Sequence, residues 1–196
     1  MTDNFALLNE PRRPWIDCES LKQKFLALSS QVHPDRVHQS LPEERKAADA
    51  RYAELNTAYN CLREPKDRLR HLLELELGKK PDDIQNIPAN LMDFAFEIGR
   101  ICKGADALLT EKSNVTSAIL KVQFFERGQE RVEQLNALQR RINGQRDVLL
   151  TELEAMNSAW ESEAHPLQRL EEIYRLLGYF ARWSEQLQER VVQLSF

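Results

Sequence analysis

Within "SSQVHPDRVHQSLPEERK", His33, Pro34 and Asp35 stand side by side, with His38 three residues further on. An imidazole, a rigid ring and a carboxylate in that order admit two kinds of chemistry. The first is metal binding, for which His33, Asp35 and His38 are ligand types; a metal-dependent enzyme built on these three is the minor alternative. Pro34 holds the chain extended between the first two, and no fourth ligand or supporting shell lies nearby in sequence, so no metal is assigned. The second is docking. A proline fixes the backbone, so His33 and Asp35 present a donor and a carboxylate in a set relation. Such a carboxylate is a bidentate target for an arginine on a partner. The cations Lys22, Lys24, Arg36, Arg45 and Arg51 surround it and would steer an acidic surface, although each by itself also reads as part of a solvated helix face.

Helices must position that tripeptide. Asp17 can cap a helix whose apolar face is Leu21, Phe25, Leu28 and Val32, and which Pro34 ends near Val32. "SLPE" fits a capping box with Ser40 as cap and Glu43 reaching back. The helix that follows carries Tyr52, Leu55, Tyr59 and Leu62, with small Ala48 and Ala58 allowing close approach, and stops at Pro65. The two helices are expected to pack as an antiparallel hairpin with His33-Pro34-Asp35 at its tip. "FALLN" forms a short helical turn before the prolines of "EPRRPW". "PKDRLRHLLELELG" makes a further helix ended by Gly78. Residues 79–88, "KKPDDIQNIP", read as a linker. Beyond it come a helix over 89–111, a long helical stretch over 115–160 with Gly128 and Gly144 as points of break or kink, and a last helix over 166–195. In the last, Ile173, Leu177, Phe180, Ser184, Leu187, Val191 and Leu194 form a heptad seam. The fold class is all-α: residues 1–78 a helical hairpin with short helices, 79–88 a linker, and 89–196 a three-helix bundle.

Composition narrows the function. Of 196 residues, 42% are hydrophobic and 30% charged, an ordinary soluble balance. The net charge of −4 argues against a general nucleic-acid binder. Residues 1–80 hold 14 basic and 13 acidic side chains, so the acidity lies in the remainder. Cys18, Cys61 and Cys102 are far apart and form no C-x-x-C pair, which excludes a zinc knuckle and favours a reducing compartment. Neither a nucleophile elbow nor a glycine-rich phosphate loop occurs, so no active site is assigned. No apolar run approaches the roughly 20 residues that span a bilayer, and the opening has no leader-like pattern; the expected location is the cytoplasm.

A helix, His33-Pro34-Asp35, and a second helix ending in "AYNCLREPKDRLRHLL" together resemble a J-domain. The resemblance implies docking on a DnaK-type 70-kDa chaperone and stimulation of its ATP hydrolysis. His33, Pro34 and Asp35 would make the essential contacts, supported by Lys22, Lys24 and Arg36. "NFALLNEPRRPW", a following linker and a helical bundle resemble HscB-type co-chaperones of iron–sulfur cluster assembly over nearly the whole chain, as does "YRLLGYFARWSEQLQE". That family delivers the cluster scaffold protein to a specialised DnaK-like chaperone, HscA. The glycine/phenylalanine-rich and zinc segments of general DnaJ proteins do not occur, nor does the C-x-x-C segment of animal mitochondrial relatives.

The family's client segment begins with Leu-Met, and "NLMDFAFEIGR" keeps Leu91 and Met92. A turn later the family tends to show Leu-Glu and then Arg-Glu; here Ala95, Phe96, Ile98 and Gly99 stand instead, with Glu97 and Arg100 close by. Leu176, beside Tyr179 and Phe180, takes the place of an apolar contact in the last helix. The resemblance thus implies a client surface of Leu91, Met92, Phe96, Glu97, Arg100 and Leu176. The apolar residues of the "NLMDFAFEIGR" segment cover more than one side of a helix, so some are expected to face solvent. Implied partners are the 70-kDa chaperone and the scaffold protein, with no cofactor, nucleic acid or membrane, in a monomer or weak dimer.

Overall fold

A computed structural model describes residues 2–33, 41–81, 87–112, 118–161 and 165–195. Among them all regular structure is helical. Asp3 starts α1 (Asn4–Leu7) by accepting from the amides of Phe5 and Ala6. Asn9 then turns the chain in the left-handed region, φ 53°. Asp17 caps α2 (Cys18–Gln31) through the amide of Ser20 at 2.8 Å, and Val32 closes it. Helix α3 (Pro42–Arg63) starts one residue later than the capping-box reading requires: Leu41 is its cap and no side chain bonds there. Pro42 sets φ for the first turn and brings no amide needing a partner, and Glu43 and Glu44 oppose the positive end of the helix. Ser40 itself lies outside the described residues.

Glu64 ends α3 and starts α4 (Pro65–Leu77), which stops at Gly78 with φ 67°, the left-handed position that suits glycine. Helix α3 packs against α1, α2 and α4. Phe25 of α2 stacks on Tyr59 of α3 at 4.5 Å. Phe5, Leu8, Leu21, Ala58, Leu62, Leu69, Leu72 and Leu73 are wholly enclosed around them. The corner between α3 and α4 is tied to the N-terminal segment by a buried cation. Arg68, 2% exposed, donates from Nε to the Pro14 carbonyl at 2.8 Å and from Nη1 to the Leu62 carbonyl at 2.6 Å.

One turn of 3₁₀ helix (Ala89–Leu91) leads into α5 (Met92–Lys112), followed by α6 (Ala118–Glu161) and α7 (Leu167–Ser195). Helix α6 runs unbroken for 44 residues through Gly128 and Gly144, where a break or kink is expected from sequence. Each glycine costs about 1 kcal/mol against alanine. That is small beside the burial of Leu135, Leu138, Ile142, Leu149, Leu153 and Met156 on the same helix.

The division into units is not the single cut that the linker leads one to expect. Residues 1–82 form one unit together with 149–174, and residues 83–148 form the other together with 175–196. In the first unit the side-chain amide of Asn157 clasps the backbone of Trp15: Oδ1 accepts from its N–H at 3.1 Å and Nδ2 donates to its carbonyl at 3.0 Å. His165 stacks on Trp160 at 4.2 Å and meets Glu76 at 3.2 Å through Nδ1. Arg169 forks onto Glu152 at 2.6 and 2.7 Å and also bonds Glu172, joining α6 to α7.

In the second unit, α5 and the segments of α6 and α7 form the expected three-helix arrangement. Ile98, Ile101 and Ala105 of α5, Leu135, Leu138 and Ile142 of α6, and Leu177, Phe180 and Leu187 of α7 are among its buried residues. Gln139 bonds Ser184 at 2.8 Å, the polar position of the heptad seam. Among the described residues no helix is long and apolar enough to cross a membrane.

Candidate functional site

Two regions carry the expected contact residues. The first follows α2. His33 is half-buried just beyond the helix, with the ring of Tyr52 edge-on to its imidazole at 5.5 Å. Tyr52 reads from sequence as one member of an apolar stripe; the structure adds that it holds one face of His33. Pro34, Asp35, Arg36 and His38 lie outside the described residues. Lys22 is exposed. Lys24 is not a free cation: its ammonium sits 2.8 Å from Glu10 Oε1 and donates to the Asn9 carbonyl at 3.2 Å. The Glu10 side chain is fully enclosed and meets Arg13 at 3.5 Å on its other side. Lys24 thus compensates a buried carboxylate of its own chain. Arg51 pairs with Glu54 at 3.1 Å on the exposed face of α3, while Arg45 stands exposed.

No local signal in sequence marks Glu10 or Arg68 as buried, because each is tied to a distant part of the chain, Glu10 to Lys24 fourteen residues on and Arg68 to Pro14 fifty-four residues back. His71 is another such group. Its Nε2 accepts from the amide of Asn4 at 3.0 Å, and its ring stacks on Phe5 at 5.7 Å. Burial holds its pKa below the ordinary imidazole value.

The second region opens α5. At 100° per residue, Met92 and Phe96 point the same way, with Arg100 beside them. Phe96 is 69% exposed and Met92 37%, whereas Leu91 and Ile98 are buried at 8% and 2%. The segment does expose part of its apolar surface, and Leu91 belongs mainly to the core. Gly99, one turn beyond Phe96, is exposed with open space where a Cβ would stand, so the helix backbone is bare there. Glu97 accepts from Arg141 of α6 at 2.7 Å. The same guanidinium lies 4.8 Å over the ring of Phe94, which meets Trp183 edge-on at 5.6 Å. Arg100 is exposed, and Leu176 is half-buried on α7. Met92, Phe96 and Arg100 therefore share an exposed face flanked by the Glu97–Arg141 pair.

The metal alternative rests on Asp35 and His38, outside the described residues. Among the described residues no three His, Cys, Asp or Glu side chains gather to hold a metal ion. Cys18 is exposed, Cys61 half-buried and Cys102 buried, all as free thiols. Burial pushes the thiols of Cys61 and Cys102 upward, away from reactivity.

No protein-family model matches the chain. A curated relative, the co-chaperone protein HscB homolog of Bordetella petrii, is 39% identical over 94 residues, which is 48% of this chain and 53% of that relative. The match thus spans about half the length of each protein. Among solved structures, the chaperone HscB from Vibrio cholerae superposes with a TM-score of 0.67 at 20% identity, covering 98% of this chain and 99% of that one. Human co-chaperone protein HscB gives 0.68 at 18% identity, covering 96% and 81%. At these identities the structures speak to the fold, and they share it along almost the whole chain. In sequence over about half its length, and in all-α fold over nearly all of it, the chain is HscB-like.

Proposed function

We propose that this protein is a J-domain co-chaperone of iron–sulfur cluster assembly. On this reading it stimulates the ATPase of a DnaK/HscA-type 70-kDa chaperone and brings the cluster scaffold protein to it. One observation carries the reading: His33-Pro34-Asp35 falls in sequence between α2 and α3, two helices that pack on each other, in a chain with an HscB-like fold. Asp35 engages an arginine of the chaperone, with His33 and Pro34 holding the contact and Lys22 and Arg36 supporting it. Lys24, already bound to Glu10, contributes less. The protein supplies no catalytic group and needs no cofactor. It binds one state of the chaperone better than another and so shifts the chaperone toward hydrolysis. Met92 and Phe96, with Arg100 on the same face and Glu97 at its edge, are the exposed centre of the client surface, to which the family resemblance adds Leu91 and Leu176. Holding client and chaperone in one complex raises the client's effective concentration there. The protein works in the cytoplasm as a monomer or weak dimer, apart from nucleic acid and membrane.

The test uses the full chain, because residues 149–174 belong to the N-terminal unit. Asp35→Asn abolishes stimulation of the chaperone ATPase while leaving the thermal transition in place; a variant that stimulates normally refutes the docking mechanism. Calorimetric titration with the scaffold protein of the same organism gives saturable one-to-one binding, weakened by Phe96→Ser. A second reading keeps the chaperone but changes the client, and a specific feature favours it. Phe96, 69% exposed, and the open Gly99 stand where the family tends to place other residues. Stimulation without scaffold binding would select that reading.

A further inference from the structure

We infer that the client segment seated on α5 is acidic: an apolar side chain with carboxylates about 6–10 Å further along the helix axis. The inference rests on the client-binding reading above and deepens it by naming the charge that the partner must carry. Met92, Phe96, Arg100 and Lys103, all exposed, follow one another at spacings of four, four and three residues. They therefore run along one side of α5. The first half of that line is apolar and the second half is basic. The carboxylates nearby do not cancel the basic half. Glu97 is committed to Arg141 of α6 at 2.7 Å, Asp106 to Arg190 of α7 at 2.8 Å, and Glu111 to Arg127 of α6 at 2.8 Å. Among the described residues no ion pair engages Arg100 or Lys103. Asp93 is the carboxylate of α5 left without a partner, and it sits in the first turn, where it opposes the positive end of the helix two turns from Arg100. The chain beyond residue 80 is acidic as a whole, so two unpaired cations beside the exposed Phe96 run counter to the charge of their own region. An apolar contact flanked by unpaired cations is complementary to an apolar side chain flanked by carboxylates. A basic segment would set like charge against Arg100 and Lys103, and a neutral one would strip water from them without supplying a partner. Phe96 then fixes affinity, while the two cations set the encounter rate and the direction in which the segment lies.

The experiment is calorimetric titration of the full chain with the iron–sulfur scaffold protein of the same organism, at low and high salt. Each variant is first shown to keep the wild-type thermal transition. Wild-type binding weakens as salt rises. The double reversal Arg100→Glu, Lys103→Glu raises the Kd about five- to tenfold at low salt, and the loss shrinks at high salt. Phe96→Ser weakens binding at both salts. Asp93→Lys replaces the one opposing charge and tightens binding. If wild type binds and Phe96→Ser weakens it, yet the double reversal matches wild type or binds more tightly, the acidic partner is wrong and the client reading stands. If wild type does not bind, or Phe96→Ser leaves binding intact, the client surface is misplaced and the inference falls with it.

Discussion

Arg68→Met tests how the N-terminal unit is held together. Arg68 is enclosed, and burial pulls its pKa down to about 10, so it stays protonated at neutral pH. Two opposing terms decide its worth. Burying a guanidinium costs several kcal/mol, and replacing buried ionic groups by apolar ones of similar size can be neutral or stabilising. Against that, Arg68 makes two short charge-assisted bonds, to the carbonyls of Pro14 at 2.8 Å and Leu62 at 2.6 Å. Each such bond contributes about 1.5–3 kcal/mol, and an acceptor left unsatisfied in a buried site costs about 1–3 kcal/mol. Methionine fills much of the volume and bonds neither carbonyl. The Leu62 carbonyl lies at the end of α3, where no helical amide follows to take it. Orphaned acceptors should outweigh the relief of desolvation, for a net loss of about 3 kcal/mol. For a chain of this length that lowers the midpoint of thermal unfolding by roughly 6–12 °C. Urea unfolding followed by tryptophan fluorescence reads the loss, since Trp15 is the neighbour of Pro14 and Trp160 lies in the same unit. A loss under about 1 kcal/mol, or a gain, would refute the reasoning by showing that desolvation of the charge cancels both bonds.

Asn157→Ala removes both bonds of the clasp on Trp15, and because the site is only part-buried, water recovers some of the loss. A destabilisation of about 1–2 kcal/mol is expected, read by urea unfolding, with the exposed neighbour change Ser158→Ala near neutral as the control. His71 gives a pH dependence whose sign is set by its lowered pKa. The unfolded chain takes up the proton first as pH falls, so the contribution of neutral His71 is fully present above the ordinary imidazole range. It is lost as pH drops through that range to the lower folded value. The thermal midpoint of wild type should therefore fall more between about pH 7.5 and 5.5 than that of His71→Gln, whose amide oxygen can still accept from Asn4. Equal shifts in the two proteins would show that His71 does not control this range.

Local features of the fold were legible because their causes lie within a few residues. Asp17 caps α2 through an amide three positions on, and Gly78 stops α4 because glycine tolerates positive φ. The same kind of reading failed at "SLPE", where two local signals compete and the proline at the first helical position prevails over the capping box. At Gly128 and Gly144 no break occurs, because a local propensity cost is outweighed by burial along a long stripe. At the candidate site, the stripe containing Tyr52 was visible but its contact with His33 was not, since the pairing depends on how α3 lies against α2.

By itself the sequence determined the helices, their ends to within about three residues, and a tripeptide whose rigidity and charge suit docking. Spacings of three, four and seven residues and nearby caps are enough for that. Tertiary structure alone decided which of those residues remain available. Leu91 and Phe96 look alike in sequence, yet one is 8% exposed and the other 69%, because the packing of the three-helix unit leaves one side of α5 uncovered. Lys22 and Lys24 are two residues apart, yet only Lys24 is committed to Glu10, whose burial depends on the left-handed turn at Asn9 and the fold of the N-terminal segment. Residues 149–174 join the N-terminal unit through contacts such as Asn157 with Trp15, 142 positions apart, which no periodicity encodes. Periodicity states that a face is apolar; only the partner brought to it by the folded chain settles whether that face becomes core or contact surface.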